Sequence, residues 1–150
     1  MGARFGREEE KRMLFTLGDD MSFSSVNTVS DPETILELQR KAMETELCDA
    51  VAEYIISITT ATRNFSGVQM GASPRASRAL FRGAKAWAAM EGRSFVTPDD
   101  VQTLVKPVLA HRLLLTNEAR ISGTTAEQIL DDILAAVPVP PVAGDEFHEI

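Results

Sequence analysis

The chain has 150 residues, 44% hydrophobic and 25% charged, so a single domain large enough to bury its own core is expected. A net charge of −7 argues against a general nucleic-acid or anionic-membrane binder, and a single cysteine, Cys48, excludes an internal disulfide framework and fits a reducing cytoplasm. Met1 to Lys11 is charged with no apolar run behind it, and no stretch reaches about 18 consecutive apolar residues, so neither a secretory leader nor a membrane span is expected.

Arg7 to Leu17 predicts a short charged helix ending near Gly18, and Asp19 to Ser30 a polar linker. Asp31-Pro32-Glu33 is a strong helix start: Asp caps, Pro takes the first position and Glu suits the dipole. Ile35, Leu38, Ala42 and Met43 then form an apolar stripe. Leu47 to Asn64 predicts a second long helix with Val51, Tyr54, Ile55 and Ile58 on one face, and 64–71 a loop. Ser73 to Gly92 predicts a third, with Ser73 as a side-chain cap, Pro74 first, a stripe of Ala76, Ala79, Leu80, Gly83, Trp87 and Met90, and Gly92 as the closing glycine.

Thr97-Pro98-Asp99-Asp100 repeats the start signal, Thr97 and Asp100 being spaced as a capping box. Val101, Leu104, Val105, Val108 and Leu109 follow, and Pro107 is expected to kink or split that helix. Thr124 and Glu127 form a further capping-box pattern ahead of Ile129, Leu130, Ile133 and Leu134, and Pro138 ends that helix before a Pro-rich tail. No hairpin signal and no internal repeat is present. The expected fold is all-α, a bundle of five or six helices.

Chemistry is sparse. There is no phosphate-cradling GxxxxGK[ST] loop and no GxSxG, His111 and His148 lie far apart without metal-ligand spacing, and Cys48 has no histidine near it in sequence. Asp19-Asp20, Asp99-Asp100 and Asp131-Asp132 sit at helix starts or solvent faces. What remains is basic: Arg75, Arg78, Arg82 and Lys85 share one face of the third long helix. For Arg82 and Lys85 a solvated face is the plain reading. Arg75 differs, because it falls in a first turn where the helix dipole disfavours a cation. A helix N-terminus plus an arginine makes a receptor for a phosphate, and an intramolecular carboxylate is the competing explanation. Arg63, near a helix C-terminus, complements a dipole or makes a packing contact; Trp87 belongs to the core; Arg112 lies on the surface or an interface.

The segments ATRNFSGVQMGASPRAS (61–77), RSFVTPDDVQTLVKPVLAHRLLL (93–115) and VPVP (137–140) resemble the C-terminal part of MoxR-type AAA+ ATPases, and FGREEEKRML (5–14) is similar to the segment leaving their αβ core. The resemblance covers roughly residues 5 to 140. It implies three parts: residues 1–30 as exit helix and linker, 31–138 as helical lid, and 139–150 as an extended tail. It implies that Arg75 is the sensor-2 residue reaching the γ-phosphate of ATP, with Ser73 and Ala76 beside it. The phosphate loop, the Mg²⁺-binding acidic motif, sensor 1 and the arginine finger would then lie upstream of Met1, so the chain is expected to hydrolyse no ATP by itself. The partners implied are the ATPase core, neighbouring subunits of a hexameric ring, and a protein with a von Willebrand A domain, in a cytoplasmic, chaperone-like remodeling ATPase. The alternative from the residues alone is a stand-alone helical interaction module, binding nucleic acid through the basic helix face.

Overall fold

The computed structural model describes residues 6–16 and 26–141 and divides the chain into two units, 1–34 and 35–150. In the first, α1 (Arg7–Thr16) exposes Arg7, Glu8, Glu9, Lys11 and Phe15. Asp31 caps the start of α2 (Pro32–Glu44), its carboxylate accepting from the Thr34 N–H at 2.7 Å and hydroxyl at 2.9 Å. Leu17, Gly18 and the Asp19-Asp20 pair lie outside the described residues.

The second unit is helical, as the sequence leads one to expect. Its long helices after α2 are α3 (Asp49–Asn64), α4 (Pro74–Met90), α5 (Pro98–Leu109) and α7 (Ala126–Ala136). The face predicted for α3 is the buried one: Val51, Tyr54, Ile55 and Ile58. On α5 the buried row is Val101, Val105 and Leu109, and on α7 it is Ile129, Leu130 and Ile133, with Leu134 half-buried. These rows meet in one core in which most side chains are wholly excluded from solvent.

On α4 the buried row is Ala76, Leu80, Ala84 and Ala88. Of the expected stripe, Ala76 and Leu80 lie in that row, while Ala79 and Gly83 are half-buried beside it. Trp87 is only half-buried and Met90 is 80% exposed. α4 runs close to α5, where a β-carbon added at Gly83 would already touch Leu104 at 3.4 Å, and the row that α4 buries is three alanines and one leucine. Gly92 closes the helix with φ of 75°, a conformation that suits glycine. The stripe expected on α2 is largely uncovered: Ile35 and Leu38 are exposed, Ala42 and Met43 half-buried, and the helix buries no residue among those described.

Three local features were not foreseen. Val68–Met70 (β1), expected to be loop, pairs antiparallel with Leu114–Leu115 (β2), Val68 opposite Leu115 and Met70 opposite Leu114, with an irregularity between. The strands are far apart in sequence, so no turn signal announces them. Asn117–Ile121 (α6) is a short helix capped by Thr116, whose hydroxyl accepts from the Ala119 N–H at 3.2 Å. The start of α7 is shifted by one residue: Thr125 and Gln128 form the reciprocal box, at 2.9 and 3.2 Å, rather than Thr124 and Glu127. Both pairs fit the motif. Pro107 does not split α5, which runs unbroken through it to Leu109 and then tightens into a 3₁₀ turn, Ala110–Arg112.

The connector from α4 to α5 is held by an ion pair. Asp100, the second acid of VTPDD, is not on a solvent face but 4% exposed. Its carboxylate accepts from both terminal nitrogens of Arg93, one at 2.7 Å, and from the N–H and hydroxyl of Thr97 at 2.8 and 3.0 Å. Burial by itself would raise the Asp100 pKa; the hydrogen bonds from Arg93 and Thr97 outweigh it and hold the carboxyl below its ordinary value. Parallel pairing of Glu46 with this connector, Glu46 N–H to Ser94 C=O at 2.7 Å and Val96 N–H to Glu46 C=O at 2.9 Å, ties it to the α2–α3 junction.

A carboxyl depressed in the folded state stabilises the fold above its unfolded pKa of about 4, and that stabilisation is lost as pH falls through the folded value. The resistance of the wild type to urea is therefore expected to fall as pH drops below about 4, whereas Asp100→Asn should begin less stable and lose less over the same window. Parallel pH profiles for the two proteins would remove Asp100 from this role.

Candidate functional site

The candidate site is the start of α4 and the segment leading into it, 71–77. Its position is dictated by the last two turns of α3. Gly71 lies so close to that helix that an added β-carbon would sit 2.6 Å from the Arg63 Cα and backbone nitrogen and from the Thr62 carbonyl carbon. The backbone of the helix cannot yield, so residue 71 must lack a side chain. The backbone of the next residue is pinned through both its polar groups. The Ala72 N–H donates to Thr62 Oγ1 at 2.8 Å, and Arg63 Nε donates to the Ala72 carbonyl at 2.8 Å. Thr62 Oγ1 in turn donates to the Thr59 carbonyl at 2.7 Å. One turn further along α4, Ser77 Oγ donates to Thr59 Oγ1 at 2.9 Å, and Thr59 donates on to the Ile55 carbonyl at 3.0 Å.

From this anchorage the chain enters α4. Ser73 is the N-cap in extended conformation, φ −81° and ψ 167°, with Pro74 in the first turn. The expectation that the Ser73 hydroxyl caps the helix is not met. It makes no cap bond, and the Ser73 carbonyl instead accepts from the Ala76 N–H at 2.8 Å. Ala76 is 1% exposed, so its side chain belongs to the core. Arg75 is exposed and takes part in none of the ion pairs among the described residues. The competing explanation for it, a carboxylate within the chain, finds no partner there.

The charge at this helix start stands apart. First turns of α2, α3, α5, α6 and α7 all carry an acid: Glu33, Asp49, Asp99 with Asp100, Glu118 and Glu127. The first turn of α4 carries none, and has Arg75 instead. An uncapped N-terminus with a guanidinium beside it favours an anion of the size and charge of a phosphate.

The basic stripe is shorter than the spacing suggests. Arg78 and Arg82 are exposed, but Lys85 is half-buried, donating to the Met43 carbonyl at the end of α2 at 2.7 Å and lying 5.4 Å from the centre of the Phe81 ring. Arg63 proves to be a specific hydrogen-bond donor, and Arg112 bonds the Val108 carbonyl at 2.7 Å. Asp131 pairs with Lys106 at 2.7 Å. His111 is exposed, Cys48 is the N-cap of α3, and His148 lies outside the described residues. No cluster of potential metal ligands occurs among the described residues, and none of their helices is long and apolar enough to cross a membrane. Thr59, Thr62 and Gly71, which build the anchorage, carry no signal of their own in the sequence; a threonine row ending a helix and a glycine in a loop are both ordinary.

A family model for the AAA lid domain matches residues 60–133, which include α4 and, Thr59 aside, its anchorage. The chain is 42% identical over 132 residues to the uncharacterized protein YeaC of Bacillus subtilis, covering 88% of this chain and 41% of that protein. It is 30% identical over 144 residues to Chaperone MoxR1 of Mycobacterium tuberculosis, covering 90% and 38%. The solved structure of a candidate ATPase from Cytophaga hutchinsonii superposes with a TM-score of 0.74 at 28% identity, over 93% of this chain and 45% of that one. The chain thus spans about two fifths of the length of these curated relatives.

Overpacking against a helix backbone costs about 1–3 kcal/mol. Gly71→Ala is expected to destabilise the second unit by that amount in denaturant unfolding; stability equal to wild type would show that the loop can lift away from α3 freely.

Proposed function

The chain carries the AAA lid domain of a MoxR-type AAA+ ATPase, and we propose that Arg75 is its sensor-2 residue, reaching the γ-phosphate of ATP held on an ATPase core. The observation that carries this reading is the start of α4: an arginine in a first turn that has no acid, no side-chain cap and no described carboxylate partner. Nothing within the described chain offsets the unfavourable placement, and a phosphate group would.

The chemistry follows from charge. As a phosphoryl group is transferred, negative charge spreads over its oxygens, and a guanidinium already in place stabilises that charge without reorganising. Arg75 supplies the guanidinium and the Ser73 hydroxyl a further donor. Ala76, whose N–H is given to the Ser73 carbonyl, stands beside them and contributes, through its buried methyl group, the packing that keeps the turn in register. The Mg²⁺ and most of the nucleotide contacts belong to the core. Because the cation stands on a rigid helix, its contact with the nucleotide couples closure of the lid to nucleotide state.

In this reading residues 1–30 are the exit helix and linker from the core, 31–138 the lid and 139–150 a tail. The partners are the core, neighbouring subunits in a hexameric ring and a von Willebrand A domain protein, and the setting is cytoplasmic. A chaperone-like remodeling role is supported by the similarity to a protein named as a chaperone. The nucleic-acid alternative loses support, since Lys85 is already engaged at the end of α2.

The 150-residue chain alone is expected to release no phosphate from ATP in a colorimetric assay, and measurable turnover would overturn the division of labour. Joined to its ATPase core, Arg75→Ala should lower kcat by about 10²-fold, the scale for losing one preorganised donor at a developing charge. Unchanged kcat would remove Arg75 from the site.

A further inference from the structure

We propose that Thr62 and Arg63 are positioning residues that set where Arg75 stands, by gripping the backbone N–H and the backbone carbonyl of Ala72, and so the two peptide groups on either side of its Cα. The inference rests on the reading of Arg75 as a phosphate-sensing residue.

A cation at the C-terminus of α3 needs no explanation beyond the helix dipole if its charge is all that matters. Arg63 does something narrower. The donor is Nε, the nitrogen inside the side chain, and its acceptor is one carbonyl, that of Ala72, at 2.8 Å. The neighbouring Thr62 takes the N–H of the same residue at 2.8 Å. Ala72 is 1% exposed, so water cannot stand in for either bond, and the two peptide groups flanking its Cα each have one satisfied orientation. Gly71 lets this backbone approach the helix so closely, and Thr59 repeats the grip one turn on, through Ser77. Thr59, Thr62 and Arg63 therefore lie on one face of α3, at helical spacing, turned towards the start of α4.

The path from the grip to Arg75 is short and stiff. Only Ser73 and Pro74 intervene, and the proline ring fixes its own backbone angle. A shift of the Ala72 backbone is thus passed to Arg75 rather than absorbed by loop bending. Misplacement by about 1 Å is enough to cost a charge-stabilising group much of its effect.

The test uses the chain joined to its ATPase core and measures steady-state ATP hydrolysis, with a thermal melt of each variant. Arg63→Ala is expected to lower kcat about tenfold, with KM little changed, and Thr62→Val to act in the same direction. Arg63→Gln places an amide nitrogen where Nε stood, keeping the bond without the charge, and should retain most of the activity. In an Arg75→Ala background the Arg63→Ala effect should shrink to within about twofold, since the two act through one group. On the chain alone, hydrogen exchange of the Ala72 amide should quicken in Thr62→Val. If Arg75→Ala leaves kcat unchanged, the reading of Arg75 fails and takes the positioning role with it. If Arg75→Ala is impaired but Arg63→Ala is not, the positioning role alone is overturned. It is equally overturned if Arg63→Ala costs the same in both backgrounds, or if Arg63→Gln is as impaired as Arg63→Ala, because Arg63 would then act by its charge or through global stability.

Discussion

The candidate site depends on one close approach, that of Gly71 onto the last turn of α3. Once the backbone lies against the helix there, the N–H and the carbonyl of Ala72 are out of water and must find partners within the protein. Thr62 and Arg63 provide them. The entry point of α4 is then fixed in place, and the row Ala76, Leu80, Ala84 and Ala88 falls into the core. That row carries α4 along α5, whose own row of Val101, Val105 and Leu109 is buried beneath it. A local steric permission, the missing side chain of one glycine, thereby becomes the orientation of a helix.

The electrostatics of the helix starts divide along the same line. Where a helix has only a structural task, an acid or a capping side chain satisfies its free N–H groups, as Asp31, Asp100, Thr116 and Thr125 do. At α4 the hydroxyl that could cap makes no such bond and a cation stands in the first turn. The fold supports this exposed end from behind, through hydrogen bonds from α3, instead of neutralising it from in front. An end held that way is left with a partial charge that no described side chain compensates, and the proposed phosphate contact starts from that charge.

Much of the fold was legible because the governing interactions are local. The start of α2 and the Thr97–Asp100 box follow from residues a few positions apart, and α3 shows its face because its buried residues are large and regularly spaced. Where signals compete, the sequence misleads. Two overlapping capping boxes precede α7, and only packing chooses between them. On α4 the conspicuous Trp87 and Met90 drew the stripe towards themselves, while the row actually buried is mostly alanine, whose small apolar weight barely registers in a pattern. Asp100 resembles any acid in a first turn, and its burial depends on Arg93 reaching back from the preceding connector.

The sequence by itself determined the helical class, the ends of most helices and the misplaced charge of Arg75, because each arises from spacing within one segment. Only the tertiary structure decided the β1–β2 pairing, the burial of Asp100, the capture of Lys85 by the end of α2 and the grip of Thr62 and Arg63 on Ala72. Each of these joins groups on different elements, and their hydrogen-bonding partners become unique only when folding has removed water and left one donor facing one acceptor.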